Sequence, residues 1–133
     1  QQFFTFSEPQ RDPRVRTVSI GYLALTSGIS NNLDLRWHDA EKLPRLAFDH
    51  AAIVSKAREH LASNSDYRLA GQLLPEYFTL NQLQNACELI QEVQFDNRNF
   101  RRKVLDSGVV SQTSKIKSEV SHRPARLFRL QSR

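Results

Sequence analysis

Residues 95–103 read Phe95-Asp96-Asn97-Arg98-Asn99-Phe100-Arg101-Arg102-Lys103. The stretch predicts an amphipathic helix, because Phe100 and the following Val104 share one face at helical spacing while the arginines fall on another. Asp96 can cap the N-terminus of this helix, where its carboxylate also favours the positive end of the helix dipole. One face can therefore pack in a core while the other presents a row of guanidinium groups, as in helices that recognise nucleic acid.

A second helix precedes the basic one. Thr79 followed three residues later by Gln82 is a capping-box pattern, which marks a helix N-terminus. This helix should end near Gln91, and its apolar face consists of Leu80, Leu83, Cys87 and Ile90. Because the basic helix follows closely, the pair has the spacing of a helix-turn-helix.

A β-ribbon is expected after the basic helix. Gly108 can take the left-handed C′ position that ends the helix. A short strand then begins at Val109, residues 111–122 form a polar loop, and residues 126–130 return as a second strand. Two helices followed by a two-stranded ribbon with a charged loop are the outline of a winged helix-turn-helix domain, which we assign to residues 65–133.

The N-terminal part, residues 1–64, is predicted to contain strands followed by a helix. We expect a loop over residues 3–16, a strand over 17–25 and a helix over 49–62. The first strand would carry Val18, Ile20 and Tyr22 on one face, and a second strand would run through Leu33, Leu35 and Trp37. The helix would be capped by Asp49, with an apolar stripe of Ile53, Val54, Ala57 and Leu61. Residues 63–66 are the expected linker.

Charge is unevenly distributed along the 133 residues. The net charge is +5, yet residues 95–133 hold ten Lys/Arg against three Asp/Glu, so the rest of the chain is slightly acidic. A basic C-terminal part on such a chain favours an anionic partner that touches that part. The single cysteine excludes an intramolecular disulfide and fits a reducing, cytoplasmic setting, and no apolar run is long enough for a membrane span. Because the chain begins at Gln1 and contains no Met, we expect it to be part of a longer protein.

The candidate DNA contacts are polar or basic residues of the two helices and the ribbon. They are Thr79, Asn81, Gln82, Arg98, Asn99, Arg101, Arg102, Lys103, Lys115, Lys117, Arg123 and Arg126. Arginine can bond bidentately to guanine and asparagine to adenine in the major groove, while the first turn of a helix can bind phosphate. The competing interpretation is a solvated helix face, which is what most charge runs are.

A second charged cluster lies at Arg11-Asp12-Pro13-Arg14. Arginine forks on a loop stiffened by proline suit a phosphate or carboxylate, so Arg11 and Arg14 are the candidate effector-binding residues. The alternative is a surface loop with local Arg–Asp pairing.

Catalytic and metal-binding patterns are missing from the sequence. Glu88 and Glu92 lie four residues apart on a helix without a third ligand, and the four histidines are scattered. Cys87 falls within an apolar stripe and is expected to be a buried small hydrophobe. We therefore expect no catalytic residue, no metal and no cofactor.

Several stretches together resemble the Nudix-related transcriptional regulators, the NrtR family. They are Arg11-Asp12-Pro13-Arg14, Leu74-Pro75-Glu76-Tyr77-Phe78-Thr79, Asp96-Asn97-Arg98-Asn99-Phe100-Arg101-Arg102-Lys103 and Arg123-Pro124-Ala125-Arg126. The resemblance implies an α+β chain made of part of a Nudix fold, residues 1–64, followed by a winged helix-turn-helix domain. The Nudix signature, a glycine followed by spaced glutamates on a helix, is absent from these 133 residues, so the first part resembles only the second half of a Nudix domain.

The same resemblance implies a function. Such bacterial proteins bind operator DNA as homodimers and repress genes of NAD metabolism or sugar utilisation, under control of a metabolite such as ADP-ribose bound to the Nudix-like domain. The alternative is a Nudix hydrolase of a nucleoside diphosphate derivative with an appended basic domain. That chemistry needs Mg²⁺ held by clustered carboxylates, which this sequence lacks. A third interpretation is a winged helix used only for protein contacts.

Overall fold

The computed structural model describes residues 1–28, 36–117 and 125–132. In these ranges helices and strands are mixed, as the sequence predicts for an α+β chain. The elements in chain order are β1 (Gln2–Phe6), β2 (Ser19–Tyr22), α1 (His50–Asn64), α2 (Tyr67–Gln72), α3 (Leu80–Gln91), α4 (Asn97–Asp106), β3 (Val110–Lys117) and β4 (Ala125–Leu130). The contacts divide the chain into two compact units, Gln1–Leu61 and Ala62–Arg133.

The N-terminal unit contains a two-stranded antiparallel sheet. Strand β1 pairs with β2 so that Phe6 lies opposite Ser19. The prediction of a loop over residues 3–16 is therefore wrong for its first part. Pro9 and Pro13 dominate that stretch, while the aromatic residues before them have the β-propensity that the loop assignment overlooked.

Strand β2 has the predicted alternation but is shorter than the predicted strand. Its apolar face is exposed: Ile20 is 55% exposed and Tyr22 is 70% exposed, and Val18, which precedes the strand, is also 55% exposed. Of the predicted second strand, Leu33 and Leu35 lie outside the described residues, and Trp37 belongs to no strand. The alternation of polar and apolar residues therefore identified one strand and its two faces, but it did not indicate which of the two faces is shielded from solvent.

Helix α1 begins one residue after its predicted start and its stripe of four apolar residues is only half-buried. It runs on to Asn64, so Ser63 is helical and the expected four-residue linker shrinks to Ser65-Asp66. The boundary between the two units falls inside α1, after Leu61, whereas the sequence suggests a domain boundary after Asn64.

Helices α2 and α3 both begin at side-chain caps. Asp66 Oδ1 accepts a hydrogen bond from the Leu69 amide at 2.7 Å, which starts α2, a helix that sequence reasoning missed. The predicted capping box of α3 is confirmed: the Thr79 amide donates to Gln82 Oε1 at 2.8 Å, and the Gln82 amide donates to Thr79 Oγ1 at 3.2 Å. The helix ends at Gln91, where the sequence predicted it to end.

One hydrophobic core joins the helices and the ribbon of the C-terminal unit. Its buried members are Ala70, Phe78, Leu80, Leu83, Cys87, Phe100, Val104, Val110 and Phe128. Each helix from α2 to α4 and each strand of the ribbon contributes at least one of these residues, so the winged helix-turn-helix is a unit with its own core.

The wing is the antiparallel pair β3 and β4, with Val110 opposite Leu130. Phe78 adds a bridge to this pair, since its amide donates to the Phe128 carbonyl at 3.0 Å and its carbonyl accepts from the Phe128 amide at 2.8 Å. Strand β3 has eight residues, so Lys115 and Lys117 lie on a strand and not in the predicted loop. Pairing with β4 favours an extended backbone here in spite of the polar composition.

Candidate nucleic-acid interface

Helix α4 has the orientation that its sequence predicts. Asp96 caps it, with Oδ1 accepting from the Asn99 amide at 2.9 Å. Phe100 is 2% exposed and Val104 is fully buried, so both anchor the helix in the core. The opposite face consists of exposed polar and basic side chains: Arg98, Asn99, Arg101, Arg102 and Lys103.

The cations on this face form no salt bridge within the described residues. Arg101 Nη2 donates to Asn81 Oδ1 at 2.7 Å, and Arg102 Nη2 donates to Asn99 Oδ1 at 3.1 Å. Within the described residues neither arginine forms a salt bridge, and Arg98 makes no side-chain hydrogen bond. The partners are neutral carboxamides, so the positive charge stays available to an anion.

The turn between α3 and α4 is fixed by one carboxylate. Glu88 Oε1 accepts from the Phe95 amide and from Gln84 Nε2, both at 2.9 Å, and Gln84 Nε2 also donates to the Phe95 carbonyl at 3.0 Å. The hydrogen bond from Gln84, followed by that from the Phe95 amide, lowers the pKa of Glu88. In the sequence Glu88 was considered only as a metal ligand, although its i,i+4 spacing from Gln84 was a usable signal for this hydrogen bond.

The first turn of α3 holds the other candidate phosphate contacts. The side-chain oxygens of Thr79 and Gln82 already accept backbone hydrogen bonds in the capping box. Asn81, exposed on the same turn, is bonded to Arg101. The structure thus joins the predicted contacts of α3 to those of α4 through one hydrogen bond.

The basic residues of the wing have internal contacts. Lys115 Nζ lies 3.6 Å from the ring centroid of Tyr77, which is a cation–π contact. Arg126 is exposed, and its Nη1 donates to Gln112 Oε1 on the paired strand at 3.2 Å. Lys117 lies on β3. Arg123, which the sequence analysis singled out, lies outside the described residues.

The two candidate effector-binding arginines differ in their surroundings. Arg11 Nε and Nη2 donate to the two carboxylate oxygens of Asp49 at 2.7 and 3.1 Å, and Nη1 donates to the Phe6 carbonyl. The hydrogen bonds from Arg11 lower the pKa of Asp49. Asp49 therefore accepts the Arg11 fork, although the sequence suggested it as the side-chain cap of α1.

Arg14 is 68% exposed although it bonds the Asp12 carboxylate through Nε and Nη2 at 2.9 and 2.8 Å. The side-chain hydrogen bonds from Arg14 lower the pKa of Asp12 to about 2. The Arg14 guanidinium also lies over the Phe48 ring, 4.8 Å from its centroid. The Arg14–Asp12 pair is the local Arg–Asp pairing that was kept as an alternative, whereas Arg11 pairs with a carboxylate 38 residues away.

Cys87 is 1% exposed, and burial raises the pKa of its thiol to about 11, so it is the inert core residue that its sequence position predicted. Among the described residues there is no group of three or more His, Cys, Asp or Glu side chains placed to hold a metal. No helix in the described part of the chain is both long and apolar enough to cross a membrane.

Comparison with known proteins assigns the fold. Residues 70–130 match the family model of the NrtR DNA-binding winged helix domain. The chain is 33% identical to a protein of Acinetobacter baylyi named ADPR responsive transcriptional repressor NtrR, over 97% of this chain and 55% of that protein. It therefore spans about half the length of this curated relative.

Two solved structures of Shewanella oneidensis NrtR are also similar. The one complexed with a 27mer DNA has a TM-score of 0.78 and 30% identity, over 98% of this chain and 64% of that chain. The other, named without DNA, has a TM-score of 0.77 and 29% identity, over 98% of this chain and 63% of that chain. These matches cover both units, and the chain is similar to NrtR proteins over nearly its whole length.

Proposed function

We propose that this chain is part of a transcriptional repressor that binds operator DNA through its winged helix-turn-helix domain. The observation that carries the proposal is the exposed row of cations on α4, opposite a face buried in the core at Phe100 and Val104. Because the helix is anchored and capped, the face that carries the cations has a fixed direction. A row of guanidinium groups on such a face is complementary to the phosphates and base edges of a duplex.

Within this proposal the side chains divide between two kinds of contact. Arg98 lies in the first turn of α4, and the N-terminal residues of a recognition helix reach the base edges in the major groove. Arg98 would bond guanine, and Asn99 would bond adenine once it releases Arg102. Exposed Arg126 on the wing would contact phosphate, as would Lys103 and Lys115.

Control by a metabolite is the second part of the proposal. The name of the A. baylyi relative describes that protein as ADPR responsive, and our chain aligns with it over 97% of its length. By analogy the longer protein would bind an ADP-ribose-like effector through its Nudix-like part, with exposed Arg14 as a candidate contact. It would act as a homodimer on genes of NAD metabolism or sugar utilisation. Arg11 is occupied by Asp49 and would shape the loop instead.

No observation in the described residues favours the hydrolase alternative, because none of their carboxylates cluster as a Mg²⁺ site requires. The NrtR relatives are named as a repressor and as a DNA complex. A regulator is therefore the function that the chain supports best.

The test is DNA binding by a variant that keeps the fold. A duplex selected by the wild-type chain from a random pool is titrated by fluorescence anisotropy with the wild type, Arg98→Ala and Arg45→Ala. Loss of one bidentate base contact costs about 1–3 kcal/mol, so Arg98→Ala should weaken binding while its unfolding temperature stays that of the wild type. Arg45→Ala removes the same charge from an exposed position of the N-terminal unit and should bind as the wild type does. Equal affinity of Arg98→Ala and the wild type would contradict the proposal.

A further inference from the structure

The inference concerns the hydrogen bond that joins α4 to α3. Arg101 Nη2 donates to Asn81 Oδ1 at 2.7 Å, between residues twenty positions apart in the chain. We propose that Asn81 is a positioning residue, which holds the Arg101 guanidinium beside the first turn of α3 so that Arg101 binds a backbone phosphate of the duplex. This assignment rests on the proposed function and divides the arginines of α4 by role.

The three arginines of α4 are held in three different ways. Arg98 makes no side-chain hydrogen bond with the described residues, and Arg102 is bonded only to Asn99 of its own helix. Arg101 alone among them is bonded to another helix, so its direction is set by the packing of α3 against α4. A side chain held in this way suits a contact of fixed geometry. The unheld Arg98 can adapt to different base edges.

The chemistry of the partner matters as much as the geometry. A carboxylate at position 81 would neutralise the guanidinium, whereas the carboxamide of Asn81 accepts one N–H and leaves the charge intact. A guanidinium has five N–H donors in a rigid fork, so four remain after the bond to Asn81. Those donors and the uncompensated charge are what a phosphate requires.

The position beside α3 favours phosphate over a base. The first helix of a helix-turn-helix crosses the DNA backbone, and the N-terminus of a helix attracts anions. The capping box of α3 uses the amides of Thr79 and Gln82. The backbone amides of Leu80 and Asn81, which lie between them, have no hydrogen-bond acceptor within the helix, because the carbonyls four residues earlier lie before the helix begins. A phosphate drawn to this turn would therefore meet the guanidinium that Asn81 holds there.

The experiment is a double-mutant cycle on the duplex selected by the wild-type chain, with affinity measured by anisotropy at several salt concentrations. From the net worth of one hydrogen bond, Asn81→Ala should weaken binding about three- to tenfold. Arg101→Ala should weaken it to a similar degree or more, equally for the selected and a scrambled duplex, and should reduce the salt slope by about one, as loss of a phosphate contact does. Combining both substitutions should add nothing to Arg101→Ala alone, because Asn81 acts through Arg101.

The control is Asn85→Ala. Asn85 lies one turn further along α3, is exposed, and makes no side-chain hydrogen bond within the described part of the chain. The Asn85→Ala variant should bind the duplex with wild-type affinity. All variants should unfold at the wild-type temperature, because the substituted positions are on the surface.

Three outcomes would overturn the inference while leaving the proposed function intact. The first is wild-type affinity for Asn81→Ala. The second is additive losses in the double variant, which would mean that Asn81 contacts DNA independently. The third is an Arg101→Ala variant that loses affinity for the selected duplex only, which would make Arg101 a base-reading residue. A wild-type chain that binds no duplex would instead overturn the proposed function together with this inference.

Discussion

At the residue scale, burial on the helices of the C-terminal unit follows the periodicity of the sequence, whereas contacts between distant residues do not show in it. Leu83 and Leu89 both lie on α3, yet Leu83 is fully buried and Leu89 is 82% exposed. Helical periodicity predicted the first correctly, because it repeats with Leu80 and Cys87. The contacts of Arg11 and Glu88 could not be predicted in the same way, since Asp49 lies 38 residues from Arg11 and Phe95 lies beyond a turn from Glu88.

Truncating the two leucines of α3 should have very different effects. Leu83→Ala removes a core side chain and leaves a cavity, so we expect it to lower the free energy of unfolding by about 2–5 kcal/mol. Leu89→Ala is the matched control and should change it by less than about 0.5 kcal/mol, as surface substitutions do. Urea unfolding followed by circular dichroism measures both. Similar losses for the two variants would contradict the assignment of the core.

The Asp12–Arg14 pair should make stability depend on pH in the acid range. The pKa of Asp12 is lowered from 3.8 to about 2 in the folded chain, so the stabilisation is complete above 3.8 and is lost as the pH falls toward about 2. Asp12→Asn keeps an acceptor for the Arg14 amide but carries no charge. The wild type should therefore have the higher unfolding temperature at pH 6, and the difference should shrink strongly as the pH falls from 3.8 through about 2. A difference that is constant across this range would show that the charge is not responsible.

At the scale of elements, capping signals were the most reliable guide in the sequence. The capping box of α3, the Asp96 cap of α4 and the left-handed Gly108 after α4, with φ of 65°, were all predicted and are all observed. The short elements escaped prediction. Strand β1 has five residues and α2 has six, so neither offers enough periods for a pattern to be recognised.

The cap of α4 can be divided into its hydrogen bond and its charge. Asp96→Ala removes both and should lower the free energy of unfolding by about 1 kcal/mol. Asp96→Asn keeps an acceptor for the Asn99 amide and removes only the charge near the helix N-terminus, so its loss should be about 0.3–1 kcal/mol. Thermal unfolding at low and high salt distinguishes the two terms, because only the charge term is screened. A loss for Asp96→Asn that is independent of salt would contradict the dipole contribution.

At the scale of the whole molecule, the uneven charge is the property that the sequence reveals most directly. The excess of positive charge in residues 95–133 could be counted before any fold was known. Its arrangement could not, because the exposure of the α4 cations depends on Phe100 and Val104 inserting into a core built from several elements. The count of charges therefore predicts an anionic partner, while packing determines which surface presents the cations.

The proposed binding of DNA should depend on the salt concentration, because that surface is lined with cations. With about three to five cations near phosphates, the logarithm of the association constant should fall with the logarithm of the salt concentration with a slope of about −3 to −5. Anisotropy titrations between low and moderate salt measure this slope. Affinity that persists at high salt would favour the interpretation in which the winged helix makes only protein contacts.

The hydrogen bonds that Glu88 and Gln84 make to the turn between α3 and α4 have a consequence for the heat-capacity change of binding. Because Glu88, Gln84 and the backbone of Phe95 already fix the angle between the helices, no segment of the helix pair has to fold when a ligand arrives. Association would then be rigid-body docking, and calorimetry should record only the small negative heat-capacity change of the surface that is covered, without the larger contribution that coupled folding adds.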